Sequence, residues 1–218
     1  MNEPIGQVYR IGQENPPIPG CTTSATAWQR DGFLLAHFSL AAHTDISPES
    51  FPGHKLIMAA DGPLQVTGSD GATWDLEPGQ VFATPADTPI GTRTDTGCVY
   101  TELTLEEGIP MNEALNIGEV VKLADLLPYQ DGKIVNMDLV NTDHVKLALM
   151  SFGAGTGLSE HAAPRPALVF ALDGTGIIGY EGTEHTITAG ENFAFAKGGR
   201  HYVKADGPFK MALLLVDE

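Results

Sequence analysis

The histidine with the most suggestive surroundings is His161, in the stretch GLSEHAAPRPALVFALDGTG at 157–176. It precedes an apolar run that is typical of a β-strand and that ends at a Gly-punctuated turn. A neutral imidazole can ligate a divalent transition metal, or it can hydrogen-bond a small molecule in a polar cavity. Metal binding needs further ligands from other strands, so the chemistry depends on which elements the fold places beside this residue.

Other catalytic patterns are missing from the sequence. The segment KGGRH at 197–201 has two glycines but no following helical pattern, which a phosphate-binding loop would need. No G-x-S-x-G nucleophile motif occurs. Cys21 and Cys98 lie far apart and have no histidine motif beside them, so neither a disulfide framework nor a thiol nucleophile is indicated.

The composition is that of a globular chain with a strongly acidic surface. The 218 residues include 28 acidic and 12 basic side chains, for a net charge of −16. A field of this sign repels phosphate backbones and anionic lipids, which disfavours nucleic-acid and membrane-surface binding, although a local pocket field could still accept an anionic substrate. No signal-peptide pattern or membrane-length apolar run is present, so we expect a cytoplasmic location.

The sequence contains an internal duplication. IGQV at 5–8 matches IGEV at 117–120, and LIMAADG at 56–62 matches LVFALDG at 168–174, both at an offset of 112 residues. EPGQVFATP at 77–85 matches TAGENFAFA at 188–196 at an offset of 111 residues. Matching blocks in the same order indicate one structural unit written twice. We therefore predict two domains, 1–106 and 107–218.

Each copy has the pattern of antiparallel β-structure. Apolar residues alternate with polar ones between Gly-containing turns, as in GIIGYEGTEHTITAGENFAFA at 176–196. Helix is predicted only for VVKLADLL at 120–127, where the apolar residues have helical spacing and Pro128 follows. The sequence thus predicts an all-β chain of two tandem small barrels with little helix.

These motifs resemble those of the cupin superfamily, in particular its small single-domain members. The first cupin motif passes through Ser-Glu-His and a Pro-containing loop to an apolar strand, here SEHAAPRPALVFALDGTG, and the second corresponds to AGENFAFAKGGRH at 189–201. The resemblance covers residues 117–218 closely and 5–105 more loosely. It implies a bicupin of two double-stranded β-helix (jelly-roll) barrels, which form a pseudo-dimer within one chain, and it leaves further dimerisation open.

The resemblance also implies which residues form the site. A metal-loaded cupin typically has His-x-His and Glu in its first motif and another His in its second. Here His161 takes the first position and His201 the last, whereas Ala163 and Ala167 stand at the other two. Two imidazoles hold an ion weakly, so Glu160 is the candidate third ligand, with Fe, Mn, Ni or Zn as the candidate metal.

Strand alternation predicts apolar walls for a ligand pocket around the two histidines. The competing interpretation of each wall residue is ordinary core packing. The predicted ligand-binding residues are His161, His201, Ala163, Ala167, Val169, Phe195 and Met211.

The first copy has lost these ligands. Glu49, Phe51 and Lys55 occupy the three first-motif positions, and Ile90 occupies that of the second-motif histidine. A Lys together with an Ile cannot form a divalent-metal site. We expect the N-terminal barrel to be structural or to have a distinct apo pocket, with His54 as a loop or rim residue.

Two functions from different classes remain open. The first is a binding bicupin whose C-terminal barrel holds a small, partly apolar organic molecule. The second is a metal-dependent enzyme of the dioxygenase or isomerase type, in which His161 and His201 hold the ion and substrate completes its coordination. Neither nucleic acid nor a membrane is an expected partner.

Overall fold

The computed structural model describes residues 2–217, and nearly all of them belong to β-structure or its connections. Strands account for 58% of the chain and helix for 5%. The prediction of an all-β jelly-roll fold is confirmed. None of the helices in the described residues has the length and apolar character needed to cross a membrane.

The elements alternate between strands and short turns, as the glycine-rich sequence predicts. In residues 2–122 they are β1 (Val8–Tyr9), α1 (Ile11–Glu14), β2 (Thr22–Arg30), β3 (Phe33–Leu40), β4 (Thr44–Glu49), β5 (His54–Asp61), β6 (Leu64–Gly68), β7 (Thr73–Leu76), β8 (Gln80–Ala83), β9 (Ile90–Thr94), β10 (Cys98–Leu105), a 3-10 turn (Glu113–Leu115) and β11 (Val120–Lys122). In residues 123–217 they are a 3-10 turn (Leu123–Asp125), β12 (Ile134–Asn141), β13 (Val145–Phe152), β14 (Thr156–Ala162), β15 (Ala167–Tyr180), β16 (Thr183–Thr188), β17 (Asn192–Phe195), β18 (Arg200–Ala205) and β19 (Phe209–Val216).

The chain divides into two compact units. The C-terminal unit is Glu3–Arg10 together with the chain from Leu123 onwards, and the N-terminal unit is Ile11–Lys122 with Asn2. Strand β1 therefore belongs to the C-terminal unit, where it pairs with β17. Strand β11 belongs to the N-terminal unit, where it pairs with β8. These units differ from a division at 106/107 in the assignment of residues 3–10 and 107–122.

One long strand organises the C-terminal unit. The 14 residues of β15 pair first with β17 and β19 and then with β16 and β18. The register shifts between Ala171 and Asp173, and Gly174 follows with a φ of 73°. This bend lets one strand serve two layers, so Val169 before it and Ile178 after it belong to the same apolar core.

The N-terminal unit repeats this pairing with the long strand divided in two. Strand β5 lies between β8 and β10, and β6 lies between β7 and β9. Ile57 is opposite Glu102 in β5 and β10, and Val169 is opposite Leu213 in β15 and β19. These pairs are equivalent in the duplicated sequence. The sequence repeat therefore has a counterpart in strand register.

Each unit has its own apolar core. The core of the C-terminal unit contains four phenylalanines that are at most 1% exposed: Phe152, Phe193, Phe195 and Phe209. The core of the N-terminal unit is built around Phe82 and Tyr100, with Phe38 stacked on Tyr100 at a centroid distance of 5.0 Å. Burial of one such side chain contributes about 2–3 kcal/mol, and these clusters fix the inward face of every strand around them.

The helix predicted at 120–127 is wrong. Val120–Lys122 form β11, and Leu123–Asp125 form a 3-10 turn. The two β-branched valines lose side-chain freedom in a helix, and here they extend the edge of β8, with Val121 only 9% exposed. Pairing with a sheet edge outweighs the helical spacing of a short segment.

Gly174→Ala is expected to destabilise the C-terminal unit more than Gly182→Ala. Both glycines have positive φ, 73° and 82°, so alanine would cost about 1–2 kcal/mol at either position. A Cβ on Gly174 would also lie 2.0 Å from the Pro208 carbonyl oxygen, whereas a Cβ on Gly182 would meet nothing within 4 Å. Urea unfolding should show at least twice the loss of unfolding free energy for Gly174→Ala, and equal losses would contradict the close approach.

Candidate functional site

Strands β14 and β18 bring His161 and His201 together. The strands are antiparallel and the two histidines are register partners. Their ring centroids are 4.2 Å apart, and their ring planes are inclined by 54°. The register of β14 shifts between Leu158 and His161, and such a bulge re-aims the side chain that follows it. The two imidazoles named from the sequence therefore meet in one place.

Backbone carbonyls fix the orientation of both imidazoles. The Nδ1 atom of His161 lies 2.9 Å from the Ser159 oxygen, and that of His201 lies 3.1 Å from the Gly199 oxygen. Because a carbonyl only accepts hydrogen bonds, each Nδ1 carries the proton and donates it. In the neutral tautomer each Nε2 then keeps its lone pair, available to a donor group or to a metal ion.

The two rings lie on an aromatic support and differ in exposure. His201 is 8% exposed, and its ring stacks on Phe195 with centroids 4.2 Å apart and planes inclined by 29°. His161 is exposed to solvent. The order from core to solvent is thus Phe195, His201 and His161, and a ligand would reach the pair from the His161 side.

The surroundings of His201 favour its neutral form. Burial lowers the pKa of His201, the hydrogen bond to Gly199 raises it in part, and the neighbouring His161 lowers it further. At neutral pH a neutral imidazole has one ring nitrogen that can accept a hydrogen bond or coordinate a metal ion.

The predicted pocket walls lie in the apolar core of the C-terminal unit. Of these residues, Phe195 contacts the His201 ring directly. Ala163 exchanges backbone hydrogen bonds with the loop before β18, donating to the Gly199 oxygen over 2.9 Å. All five walls are at most 4% exposed: Ala163, Ala167, Val169, Phe195 and Met211. They are therefore close-packed members of the core, and Phe195 links that core to His201.

Glu160 does not join the two histidines. Its carboxylate forms an ion pair with Arg200, whose Nε donates to Oε1 over 3.1 Å. Across residues 2–217, no group of three or more His, Cys, Asp or Glu side chains is placed to hold a metal ion. The candidate third ligand is instead part of a surface ion pair.

The two histidines fit a transition-metal site only in part. A hydrogen bond from Nδ1 to a carbonyl is the usual way in which a metal-binding imidazole is oriented. Catalytic metal ions, however, usually have three protein ligands. The described residues supply two, so the donor set is one ligand short and no reaction step through a metal follows from it.

Glu49 and Ile90 occupy the equivalent place in the N-terminal unit. They are register partners in β4 and β9, after a register shift in β4 that matches the one in β14. A carboxylate beside an alkyl group cannot reproduce the imidazole pair. His54 donates from Nδ1 to the Thr84 carbonyl over 2.8 Å, which holds it at the beginning of β5.

The sequence interpretation missed Glu102. This residue is 7% exposed, and its Oε1 lies 3.1 Å from the Lys55 ammonium. The signal was a charge within the otherwise strand-like CVYTELTL, at a position equivalent to Leu213 in the second copy. Only alignment of the two copies, position by position, would have singled it out.

Comparison with protein families assigns the C-terminal part of the chain. The family model described as a cupin domain (Cupin_2) matches residues 148–217, which include both histidines. Over these residues the chain is similar to a cupin domain. A search of the curated proteins finds no match.

Solved structures resemble this chain over most of its length. A cupin 2 conserved barrel domain protein from Leptotrichia buccalis has a TM-score of 0.85 at 22% identity, covering 100% of this chain and 99% of its own. Salicylate 1,2-dioxygenase from Pseudoaminobacter salicylatoxidans has a TM-score of 0.64 at 11% identity, covering 96% and 80%. A putative glyoxylate induced protein from Pseudomonas aeruginosa has a TM-score of 0.59 at 14% identity, covering 89% and 79%. At these identities the likeness shows the fold alone.

The pKa of His201 is expected to lie below about 6.5, the usual histidine value. Because the folded state disfavours the protonated ring, the stability from neutral His201 is complete above that value and is lost as the pH falls towards the folded-state pKa. Proton NMR of metal-free protein should show the low pKa, and His161→Ala should raise it because that variant removes the neighbouring ring. A His201 pKa at or above 6.5 would contradict the described environment.

Proposed function

We propose that this chain is a small-molecule-binding protein whose ligand site lies at the paired imidazoles of its C-terminal unit. The observation that supports the proposal is the fixed tautomer of both rings. Each Nδ1 is committed to a backbone carbonyl, and the rings are in contact at 4.2 Å, so two acceptor atoms are presented close together. Such convergent polar groups above an apolar floor are typical of small-molecule sites.

The donor and acceptor pattern defines the ligand chemistry. A neutral Nε2 accepts a hydrogen bond, so the ligand needs an O–H or N–H donor. The solvent-exposed ring of His161 offers aromatic surface, which favours a partly apolar ligand. A small molecule with one hydroxyl on an apolar ring combines both features. The acidic net charge of −16 argues against a strongly anionic ligand.

The ligand site can be tested with phenols and cyclic alcohols, each compared with its O-methyl ether. We expect saturable binding of the hydroxyl compounds and at least tenfold weaker binding of the ethers, because an ether has no proton to donate to Nε2. Ligand-observed NMR and calorimetry on the full chain measure both. Binding should also weaken on acidification, as protonated imidazole loses its acceptor.

Variants locate that binding. His161→Ala and His201→Ala should each reduce the affinity for the hydroxyl compounds at least tenfold. The control is His144→Ala, because His144 is an exposed histidine whose Nδ1 lies 3.2 Å from Oδ2 of Asp217. Equal affinity in all three variants would place binding elsewhere. If no member of the hydroxyl panel binds saturably, the proposed ligand class is wrong.

A second candidate is metal binding by the same two imidazoles, with water or substrate completing the coordination. It is favoured by the Nδ1 hydrogen bonds, which are those of oriented metal ligands. Elemental analysis of protein purified without a chelating tag would then give stoichiometric Fe, Mn, Ni or Zn in the wild type and none in the combined His161→Ala, His201→Ala variant. Metal-free protein whose melting temperature is unchanged by these ions would contradict this candidate.

A further inference from the structure

The interior of the N-terminal unit is polar where that of the C-terminal unit is apolar. Strand register shows which positions of the two units are equivalent. Lys55 pairs with Thr104 in the N-terminal unit, and the equivalent pair in the C-terminal unit is Ala167 with Leu215. At six equivalent inward positions the C-terminal unit has Ala167, Phe195, Val203, Met211, Leu213 and Leu215, and the N-terminal unit has Lys55, Thr84, Thr92, Tyr100, Glu102 and Thr104. Every one of these six differences adds a hydrogen-bonding group.

Lys55 and Glu102 point to the same interior. Lys55 lies on the face of β5 that also carries Ile57 and Ala59, both members of the core. Glu102 lies on the face of β10 that carries Cys98 and Tyr100, also core members. The pair is therefore an interior feature rather than a surface ion pair.

The polar groups of this pair are only partly satisfied by the protein. Oε1 of Glu102 accepts from Lys55 Nζ over 3.1 Å and from Thr104 Oγ1 over 3.0 Å. In the described residues, Glu102 is the polar partner of the Lys55 ammonium, whose other neighbour is the Phe51 ring, 5.8 Å from Nζ to the centroid. An ammonium has three donors, and the Lys55 side chain is 25% exposed, so donors remain for a molecule arriving from solvent.

The fold itself does not require the ion pair. The C-terminal unit forms the same strand pairing with Ala167 and Leu213 in these places. Replacing an ion pair in a protein interior by apolar side chains is often neutral or stabilising, because removing charges from water is costly. A costly pair whose remaining donors are open to solvent, at positions where apolar residues suffice, indicates a role in binding.

We propose that the N-terminal unit binds a neutral polyhydroxylated small molecule, such as a monosaccharide or a cyclitol, at Lys55 and Glu102. Hydroxyl groups both donate and accept, so one molecule can accept from the ammonium and donate to the carboxylate. The half-buried Phe51 ring beside Lys55 offers an apolar surface to the C–H face of such a ring. This site is separate from the imidazole pair and does not depend on its function.

Charge selects a neutral ligand over an ionic one. The two side chains cancel, so a carboxylate attracted by Lys55 also meets Glu102, and an amine attracted by Glu102 also meets Lys55. The net charge of −16 further disfavours anions. A neutral molecule with both donors and acceptors satisfies the pair without breaking it.

The test uses the full chain and a panel of glucose, galactose, mannose and myo-inositol, with lactate and ethanolamine as ionic comparators. Saturation-transfer NMR and calorimetry should show saturable binding of at least one neutral compound. Lys55→Met and Glu102→Gln should each weaken it at least tenfold, and His161→Ala should leave it unchanged.

A combined Lys55→Ala, Glu102→Leu variant distinguishes a role of the ion pair in ligand binding from a role in stability. It replaces both residues by those at the equivalent positions of the C-terminal unit, Ala167 and Leu213. We expect it to keep or raise the melting temperature and to abolish binding. The control is Lys204→Ala with Glu184→Leu, an exposed pair at 53% and 55% exposure, which should bind normally.

Four results would overturn the proposal. The first is the absence of saturable binding by every neutral compound, and the second is tighter binding of lactate than of any of them. The third is a surface-pair control that loses as much affinity as the interior variant. The fourth is an interior variant that is less stable than the wild type, which would make the pair a structural one.

Discussion

Strand register is the constraint on which both candidate sites depend. In each unit the antiparallel hydrogen bonds fix which side chains point inward, and a slip of one residue would turn the whole set outward. The same constraint places His161 opposite His201 in one unit and Glu49 opposite Ile90 in the other. Because backbone hydrogen bonds hold the strands together, the inward side chains at these two positions can differ between the units while the strand pairing stays the same.

The two units differ in the chemistry of their interiors. The C-terminal unit has a close-packed aromatic interior below two oriented imidazoles, with Phe195 in contact with His201. The N-terminal unit has hydroxyl and charged groups at several of the corresponding positions, among them Glu102. One pattern of strand pairing thus accommodates two chemically distinct interiors.

The features that the sequence revealed are those encoded by period and repetition. Alternation predicted the inward direction of Ala167 and Val169, and the repeat predicted that the same strand pairs recur. Features that depend on tertiary partners were not accessible. Val120 and Val121 have helical spacing in the sequence but pair with the edge strand β8. Glu160 forms an ion pair with Arg200, which lies 40 positions away in the sequence. Glu102 could not be recognised from the sequence because a single acid in a strand usually faces solvent. Its 7% exposure and its ion pair with Lys55 show that this one does not.

The pairing of β1 with β17 has a consequence for the order of folding. Val8 in β1 pairs with Phe193 in β17, so this ladder joins strands that are separated in sequence by the whole of Ile11–Lys122 and by most of the C-terminal unit. The hairpin of β12 and β13, in contrast, joins neighbouring strands. Closing a long loop costs conformational entropy and is slow. The sheet edge at β17 is therefore expected to close after the local hairpins have formed.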